Sequence, residues 1–267
     1  MTVLDTLRRR SVPDTSVVSS SAVVVEGMTK RFGRGPLILD DISLSVAPGE
    51  FLCILGASGC GKSTLLNLVA GLEQPTAGRV EVPGHKPSLM FQEPALYPWL
   101  TAGENVELAL KLRGVGKAER RQTTQELLAL VRLEGAGHKR PHELSGGMRQ
   151  RVAMARALAQ DSKVLLMDEP FAALDAITRD VLHDELTRIR QEVGATVLFV
   201  THNVREAVRL GDRVILLSSR PGRVANEFPV RIPQPRRIES PEVAALSVEI
   251  TEHLRAEIRR HAQKASS

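Results

Sequence analysis

The sequence is poor in aromatic residues and cysteines, and it contains no long apolar run. Aromatic residues make up 3% of its 267 residues, with one tyrosine and one tryptophan, and there are two cysteines, Cys53 and Cys60. So few cysteines exclude a disulfide framework, which favours a reducing compartment. No apolar stretch approaches the roughly 20 residues that span a bilayer, so no transmembrane helix is predicted.

The N-terminal stretch also lacks the apolar segment of a secretory signal. Residues 1–21 contain basic residues with no apolar core after them, and we expect a mobile polar tail. The hydrophobic content of 42% suffices for a full core. A formal net charge of +5 suits a protein near anionic lipid or nucleic acid, but the charge is dispersed and indicates little alone.

Strand and helix patterns alternate along most of the chain. Strands are predicted at VVVEGMTKRF, ISLSV, EFLCILG, RVEVPG, SLMFQ, KVLLMDEP, ATVLFVT and DRVILLSS, with helices between the later strands, one of them over 176–193. This alternation predicts an α/β fold with a mainly parallel sheet covered by helices. The pattern over 101–161 is mostly helical and interrupts the alternation, which indicates an inserted helical subdomain at about 93–161.

The C-terminal part, residues 231–267, reads as a linker followed by a helix. Ser240 is in the N-cap position and Pro241 in the first helical position. The helix is expected to pack against the core rather than to regulate it. Its apolar face is predicted to consist of Val243, Leu246, Ile250, Leu254 and Ile258.

A glycine-rich segment follows the buried strand EFLCILG and precedes a helical pattern. The segment GASGCGKS fits GxxxxGK[ST], in which backbone N–H groups and a helix N-terminus surround phosphate oxygens. Lys62 is expected to reach the β- and γ-phosphates, Ser63 to bind Mg²⁺ and Thr64 to contact the α-phosphate side. The predicted nucleotide-binding residues are Gly56, Ala57, Ser58, Gly59, Cys60, Gly61, Lys62, Ser63 and Thr64.

Two carboxylates and a histidine end other apolar strands. Asp168 and Glu169 follow VLLM, and Thr201 and His202 follow VLFV. Ligands bind at the C-terminal edge of parallel strands. Asp168 is therefore predicted to hold Mg²⁺ through water, Glu169 to deprotonate the attacking water, and His202 to contact the γ-phosphate. Without the glycine-rich segment, these residues would indicate only solvated strand ends.

A second anion-binding pattern lies in the helical insertion. In LSGGMRQRVAMARALA, Ser145 is a natural N-cap, and Gly146 and Gly147 leave backbone N–H groups open. The residues alone are equally compatible with a plain loop before an amphipathic helix. Because a full set of hydrolysis residues occurs once, we favour one nucleotide shared across a head-to-tail dimer over two separate ligands. Asp175 of ALDA is expected along the same shared surface.

Together these motifs resemble the nucleotide-binding subunit of an ABC transporter. The resemblance covers about residues 22–230, and LSGGMRQR is the motif that separates this family from other P-loop proteins. It implies a P-loop NTPase of the ABC ATPase class, with an antiparallel β part near the N-terminus. It also implies ATP and Mg²⁺ as cofactors, and two subunits that close on two ATP molecules.

The resemblance assigns further roles by position. Phe32 matches the aromatic residue that stacks on adenine. Gln92 matches the glutamine that links the Mg²⁺ site to the transmembrane partner, and it counts among the expected catalytic and metal-binding residues. The motif at Ser145, Gly146 and Gly147 matches the one that contacts the γ-phosphate of the opposite subunit.

Three positions raise specific questions. Met148 stands where many family members have glutamine, which bears on the dimer contact. Asn203 follows His202 where aspartate is frequent, which bears on the support of that histidine. Cys60 lies near a helix N-terminus, which favours a reactive thiolate shielded by nucleotide, and the alternative is a small buried residue that never reacts.

Tyr97 and Trp99, the only tyrosine and tryptophan, lie two residues apart in FQEPALYPWL. Without context, the simplest interpretation is a turn whose aromatics fold back onto the core. In this family, however, the segment after Gln92 receives a coupling helix from the membrane subunit. The resemblance therefore favours a groove of Tyr97, Pro98, Trp99 and Leu100 that anchors this helix.

FQEPALYPWLT and PHELSGGMRQR resemble the ATPases of nitrate, sulfonate and taurine importers. This implies an ATP hydrolase that forms a homodimer and lies at the cytoplasmic face of the inner membrane as a peripheral protein. It would bind permease subunits, and a periplasmic or extracellular solute-binding protein would deliver the solute to them. The main alternative is a soluble ABC-type ATPase acting on nucleic acid or the ribosome. Because there is one cassette and no long coiled coil, we expect no nucleic-acid partner. A P-loop kinase or GTPase would leave LSGGMRQR without a role.

Overall fold

The computed structural model of the chain describes residues 21–84 and 86–265. The predicted tail, residues 1–21, lies outside this range except for Ser21. The described chain divides into two compact units. We call residues 88–165 and 170–195 the helical unit, and residues 21–84, 86–87, 166–169 and 196–265 the sheet unit.

Nine strands and seven α-helices occur among the described residues. In chain order they are β1 (Val23–Arg31), β2 (Leu37–Val46), β3 (Phe51–Gly56), α1 (Lys62–Val69), β4 (Ala77–Glu81), β5 (Ser88–Met90), α2 (Ala102–Leu112), α3 (Lys117–Leu130), a 3₁₀ turn (Pro141–Glu143), α4 (Gly146–Leu158), β6 (Val164–Asp168), α5 (Ala176–Val193), β7 (Thr196–Val200), α6 (Val204–Leu210), β8 (Arg213–Leu217), β9 (Val224–Pro229) and α7 (Pro241–Ala265).

A largely parallel sheet forms the centre of the sheet unit. Its strands follow the order β6-β7-β3-β8-β9, and β3 pairs in parallel with both β7 and β8. Every residue of β3 and of β7 is buried, which explains why their sequences are continuous apolar runs rather than alternating ones. The predicted parallel core is confirmed.

The antiparallel part near the N-terminus is a separate sheet in the order β2-β1-β4. Val23, Val25 and Met28 of β1 are buried, while the residues between them are more exposed. This alternation is expected where one face of a sheet is covered and the other is solvated. The predicted antiparallel element is therefore confirmed.

Strand β9 was not predicted from the sequence. It reads VANEFP and pairs antiparallel with β8 at the edge of the parallel sheet. Asn226 and Glu227 interrupt its apolar pattern, and Pro229 ends it. An edge strand tolerates both features because one of its sides has no ladder partner. The sequence of β9 therefore lacks the regular apolar pattern by which a strand is predicted.

The helical unit contains α2 to α5, β5 and the first residues of β6. Thr101 and Glu104 form a reciprocal capping box at the start of α2. Helix α5 spans the residues predicted for it, because Asp175 caps its N-terminus and Gly194 ends it in a left-handed conformation, with φ of 65°. The Glu185 carboxylate of α5 is buried and lies 3.2 Å from Nε of Arg151 on α4.

Helix α7 packs within the sheet unit along much of its predicted apolar face. Val243 and Ile250 are fully buried, and Leu246 and Leu254 are half-buried. The fifth residue of that face, Ile258, is 45% exposed, so the prediction is wrong there. The apolar pattern continues along the helix beyond the part that is covered. No helix in the described ranges has the length and hydropathy of a membrane span.

Candidate functional site

The phosphate-binding loop of the sheet unit runs from the end of β3 to the start of α1. Lys62 opens the helix and is 7% exposed. Its ammonium group donates hydrogen bonds to the carbonyls of Gly56 at 2.9 Å and of Ala57 at 3.2 Å. These bonds draw two loop carbonyls toward the lysine and leave the backbone curled around the helix N-terminus, where an anion is stabilised.

Glycine is required in this loop for two physical reasons. Gly61 has φ of 106°, in the left-handed region, and a Cβ there would lie 2.7 Å from Cδ2 of Leu39. Gly56 does not lie in the left-handed region, but a Cβ on it would lie 2.6 Å from Sγ of Cys60. Backbone conformation therefore selects one glycine, and close packing selects the other.

The predicted contact residues differ in accessibility. Cys60 is 1% exposed, and burial raises the pKa of its thiol despite the opposing charge of Lys62. The expectation of a thiolate at this position is therefore wrong, because the loss of solvation outweighs the helix N-terminus. The alternative, a small buried residue, fits the structure. The exposed or half-buried loop residues are Ala57, Ser58, Gly59, Gly61, Ser63 and Thr64.

Asp168 and Ser63 meet at the end of β6. The Ser63 side chain is hydrogen-bonded to the Asp168 carboxylate, which is half-buried. Burial is the main cause that raises the pKa of Asp168, and the negative charge of Glu169 raises it further. The hydrogen bond from Ser63 and the positive charge of Lys62 act in the opposite direction. A bound cation would offset this desolvation of the carboxylate.

These oxygen donors fit a magnesium ion that is held jointly with phosphates. Mg²⁺ is usually bound by one or two carboxylates together with substrate phosphates. Across residues 21–84 and 86–265, no group of three or more His, Cys, Asp or Glu side chains could hold a metal. One hydroxyl and one carboxylate beside the phosphate loop are what a jointly held ion requires.

Glu169 and His202 face each other next to Asp168. Oε2 of Glu169 lies 2.8 Å from Nδ1 of His202, and the side chains are 22% and 63% exposed, respectively. Glu169 has φ of 44°, a left-handed conformation that costs a non-glycine residue about 1–3 kcal/mol. Its amide donates to the carbonyl of Val200 at 2.9 Å, which holds this conformation in place. In this backbone conformation the Glu169 carboxylate lies beside His202, at the C-terminal edge of the sheet.

Three further side chains hold the backbone around His202. Asn203 caps α6, and its side-chain oxygen accepts from the amides of Arg205 at 3.1 Å and Glu206 at 3.3 Å. The buried Glu206 accepts a hydrogen bond from the Thr201 hydroxyl. An amide at Asn203 thus caps the helix as an aspartate would. Glu206 was not predicted as part of this site. Its position, three residues after the N-cap Asn203, is one where glutamate often takes part in helix capping.

The second anion-binding pattern has the geometry predicted for it, within the helical unit. Ser145 caps α4, and its hydroxyl accepts from the Met148 amide at 3.2 Å. The Arg149 side chain donates a hydrogen bond of 2.7 Å to the carbonyl of Leu144, which fixes the backbone just before the helix. Ser145 is exposed and Gly146 is half-buried. The accessible part of this turn is therefore at Ser145 and Gly146, because Gly147 is buried and the Met148 amide is bonded to Ser145.

Helix α5 begins directly against this turn. A Cβ on Gly147 would lie 2.6 Å from Cγ2 of Thr178, whereas one on Gly146 would lie 3.4 Å from Cδ2 of Leu174. Asp175 caps α5 and accepts from the Thr178 amide at 2.9 Å, which lowers the pKa of its carboxyl. The structure thus brings the glycines of α4 and the Asp175 turn together, and Thr178 was not anticipated.

The two residues with roles assigned by resemblance are both at the surface. Gln92 belongs to the helical unit, and its carbonyl accepts from Nε2 of Gln150 at 3.0 Å while the residue is exposed. Phe32 belongs to the sheet unit and is 48% exposed, with Nζ of Lys30 4.6 Å from its ring centroid. An exposed ring is available for stacking.

Tyr97 and Trp99 are exposed by 41% and 67%, so the interpretation that they fold back onto the core is wrong. Their ring centroids are 5.5 Å apart. The buried side chain of Asn105 accepts from the Tyr97 amide at 2.8 Å and donates to the Leu100 carbonyl at 3.3 Å. A rigid backbone thus presents two large aromatic side chains to solvent in the helical unit.

The buried strand, the glycine loop with its lysine, and the carboxylates at the neighbouring strand end define a P-loop NTPase. The helix capped by Ser145 distinguishes the chain within that class. The chain belongs to the ABC transporter family, which it matches over residues 39–172. As a member of this family, it is an ATP-binding ATPase whose hydrolysis is coupled to transport.

Relatives include import proteins for several small solutes. The nitrate import ATP-binding protein NrtD of Synechococcus elongatus is 42% identical over 264 residues, covering 90% of this chain and 96% of that protein. The taurine import ATP-binding protein TauB of Sinorhizobium fredii is 47% identical, covering 74% and 77%. The aliphatic sulfonates import ATP-binding protein SsuB of Bacillus subtilis is 43% identical, covering 84% and 91%.

A solved structure shows the same fold in a dimer. The post-hydrolysis state of the ATP-binding cassette MJ0796, bound to ADP and phosphate, matches with a TM-score of 0.69 and 36% identity. The match covers 79% of this chain and 99% of that one. The expected α/β fold of an ABC ATPase is therefore confirmed.

The contact between α4 and α5 predicts a rescue experiment. Gly147→Ala should lower the free energy of unfolding by about 1–3 kcal/mol, because the new Cβ overlaps the Thr178 methyl group. Adding Thr178→Ser should restore most of the loss, since serine keeps the hydroxyl beside Asp175 and removes the methyl. Urea unfolding of the single and double variants measures both effects.

The matched control is Gly146→Ala, whose Cβ has room. It should leave the free energy of unfolding unchanged or slightly higher, because alanine is favoured over glycine in a helix. Unaltered stability of Gly147→Ala, or a loss that Thr178→Ser fails to reduce, would contradict the contact.

Proposed function

We propose that this chain is the ATP-hydrolysing subunit of an importer that takes up a small solute through a separate membrane permease. Nitrate, a sulfonate or taurine is the expected solute class, since NrtD, SsuB and TauB carry these names. The observation that carries the proposal is the pairing of Glu169 with His202 beside Asp168 and the phosphate loop. One sheet edge thus holds groups for phosphate binding and for water activation.

ATP binding falls to the loop and the first turn of α1. The exposed Gly59, the half-buried Gly61 and the helix N-terminus would supply N–H groups to the phosphates. Lys62 adds a positive charge inside the loop. Mg²⁺ would be held by Ser63 and Asp168, and when bound it would neutralise charge on the β- and γ-phosphates.

Glu169 is proposed as the base that takes a proton from the attacking water. Its carboxylate is partly exposed and is aimed by its strained backbone, so it can meet a water from the solvent side. His202, 2.8 Å away, orients that carboxylate and offers its other ring nitrogen to the γ-phosphate. Thr201 and Asn203 fix the backbone from which the histidine projects.

Hydrolysis is proposed to need a second copy of the chain. The turn at the start of α4 is exposed at Ser145 and half-buried at Gly146, and Asp175 is exposed on the adjoining turn. A triphosphate bound in the loop of one copy would meet Ser145, Gly146 and Gly147 of the other. Closure on ATP and release after hydrolysis would then provide the mechanical step.

The exposed aromatic pair is proposed as the permease contact. Tyr97 and Trp99 offer rigid apolar area without loss of backbone order, as interface anchors usually do. Gln92 precedes them in the same unit, so the glutamine matched by resemblance and the docking residues share one segment. The chain would lie at the cytoplasmic face of the inner membrane, and a solute-binding protein would act through the permease.

Action on nucleic acid or the ribosome, the alternative considered from the sequence, is not favoured. The relatives NrtD, TauB and SsuB are named as import proteins. The basic residues Arg79, Arg113, Arg120 and Arg213 of the described surface are paired with carboxylates. The charges of these four arginines are therefore balanced locally, which weakens their attraction for a phosphate backbone.

Glu169→Gln tests the proposed base. Glutamine keeps the shape but cannot accept a proton, so ATP hydrolysis should fall by about a hundredfold or more while ATP affinity changes less than about twofold. Phosphate release and binding of a fluorescent ATP analogue measure the two quantities. Glu81→Gln, at an exposed strand position, is the control and should alter neither. Full turnover by Glu169→Gln would remove this residue from the proposed role.

Uptake into proteoliposomes tests the transport function and the docking surface together. The chain is reconstituted with its permease, and ATP-driven uptake is scored for nitrate, an alkanesulfonate and taurine, each with a solute-binding protein. Trp99→Ala should lower uptake at least about tenfold, because it removes a central anchor, and should leave the ATPase activity of the isolated subunit within about twofold.

Leu72→Ala is the matched control, since Leu72 is 62% exposed and Trp99 is 67% exposed. It should preserve uptake and assembly. Normal uptake by Trp99→Ala would exclude the docking surface. ATPase activity that responds to DNA or ribosomes, and to no solute, would favour the alternative function.

A further inference from the structure

A loop outside the recognised motifs is hydrogen-bonded to the phosphate-binding loop. It comprises residues 218–223, between β8 and β9, and we call it the arginine loop. Nε of Arg220 donates a hydrogen bond of 2.8 Å to the carbonyl of Gly59. Gly59 has φ of 77°, a conformation open mainly to glycine, and it is exposed. The two residues are separated by 161 in the sequence, so no local sequence pattern indicates this contact.

The arginine loop is itself firmly held. Gly222 donates to the carbonyl of Ile38 at 2.8 Å and accepts from the amide of Asp40 at 3.0 Å, so the loop pairs with β2. Nε of Arg223 lies 3.0 Å from the Asp40 carboxylate. The Ser218 hydroxyl accepts from the Arg223 amide at 2.9 Å and closes the turn. The backbone on both sides of Arg220 is therefore fixed by hydrogen bonds.

The same loop approaches the next residue of the phosphate loop very closely. A Cβ on Gly222 would lie 2.3 Å from the carbonyl oxygen of Cys60. The Lys62 ammonium group also donates hydrogen bonds to the carbonyls of Gly56 and Ala57. Two cationic side chains, Lys62 and Arg220, thus bind carbonyls of the phosphate loop.

We propose that Arg220 is a positioning residue of the nucleotide site, an inference that rests on the proposed binding of ATP to this loop. A peptide plane rotates as a unit, so fixing the Gly59 carbonyl also fixes the Cys60 amide, which donates to the carbonyl of Ala57 at 3.2 Å and closes a turn of the phosphate loop. Arg220 fixes the Gly59 carbonyl in this way and limits rotation of the peptide when no phosphate is present. It thereby lowers the cost of ordering the loop on binding, and it need not touch the nucleotide itself.

The test compares nucleotide binding and turnover in two arginine variants. Arg220→Ala should raise the Kd for ATP and for ADP by about fivefold, which is the usual net effect of one hydrogen bond. The KM for ATP should rise by the same factor, while kcat at saturating ATP changes less than twofold. Arg220→Lys keeps the charge and a donor, so it should recover part of the affinity.

Arg79→Ala is the matched control for loss of one positive charge. Arg79 lies in the same unit and pairs with Glu26 and Glu81, with no contact to the phosphate loop among its ion pairs. It should leave Kd unchanged, and thermal unfolding without nucleotide should show that both alanine variants are folded. If Arg220→Ala fails to fold, the Arg220→Lys and Arg220→Gln variants supply the comparison.

Three results would overturn the inference. They are an unchanged Kd in Arg220→Ala, a fall in kcat with Kd unchanged, and an equal loss of affinity in Arg79→Ala, which would indicate general electrostatics. Failure of the proposed binding of ATP to this loop looks different, because the unaltered protein would then bind neither ATP nor ADP.

Discussion

The hydrogen bonds from the Lys62 ammonium group to the carbonyls of Gly56 and Ala57 hold the curvature on which the rest of the site depends. A nearly buried ammonium group is costly unless it is paired, so the loop and the lysine stabilise each other. With the carbonyls drawn inward to the lysine, the helix N-terminus stays open to phosphate. The parallel strands then set the distances, because Asp168, Glu169 and His202 all follow strand ends at the same edge of one sheet.

Features encoded by neighbouring residues could be predicted from the sequence. The continuous apolar run of β3 followed by GASGCGKS predicts both a buried parallel strand and a phosphate loop. Helix α5 has the predicted bounds because its cap residues, Asp175 and Gly194, act on the adjoining backbone. Ser145 is a third case, since its hydroxyl reaches an amide only three residues away.

Features that depend on tertiary contacts could not be predicted in this way. Arg220 meets Gly59 because β8 and β3 are neighbours in the sheet, and no spacing in the sequence encodes that. Thr178 explains why Gly147 has no side chain only once α4 and α5 are packed together. Burial raises the pKa of the Cys60 thiol, although the nearby helix N-terminus favours the thiolate. Ile258 fits the apolar pattern of α7, but it is exposed because no other described part of the fold covers that end of the helix.

We propose that two copies of the chain enclose each ATP, one through the loop at Lys62 and the other through the helix that begins at Ser145. Sedimentation velocity of the Glu169→Gln variant with saturating Mg-ATP tests this most directly, because bound ATP then persists. A species of about twice the 29.2 kDa chain mass is predicted, with a return to single chains when ADP replaces ATP. Single chains alone at high protein concentration with ATP bound, even alongside the permease, would contradict the account.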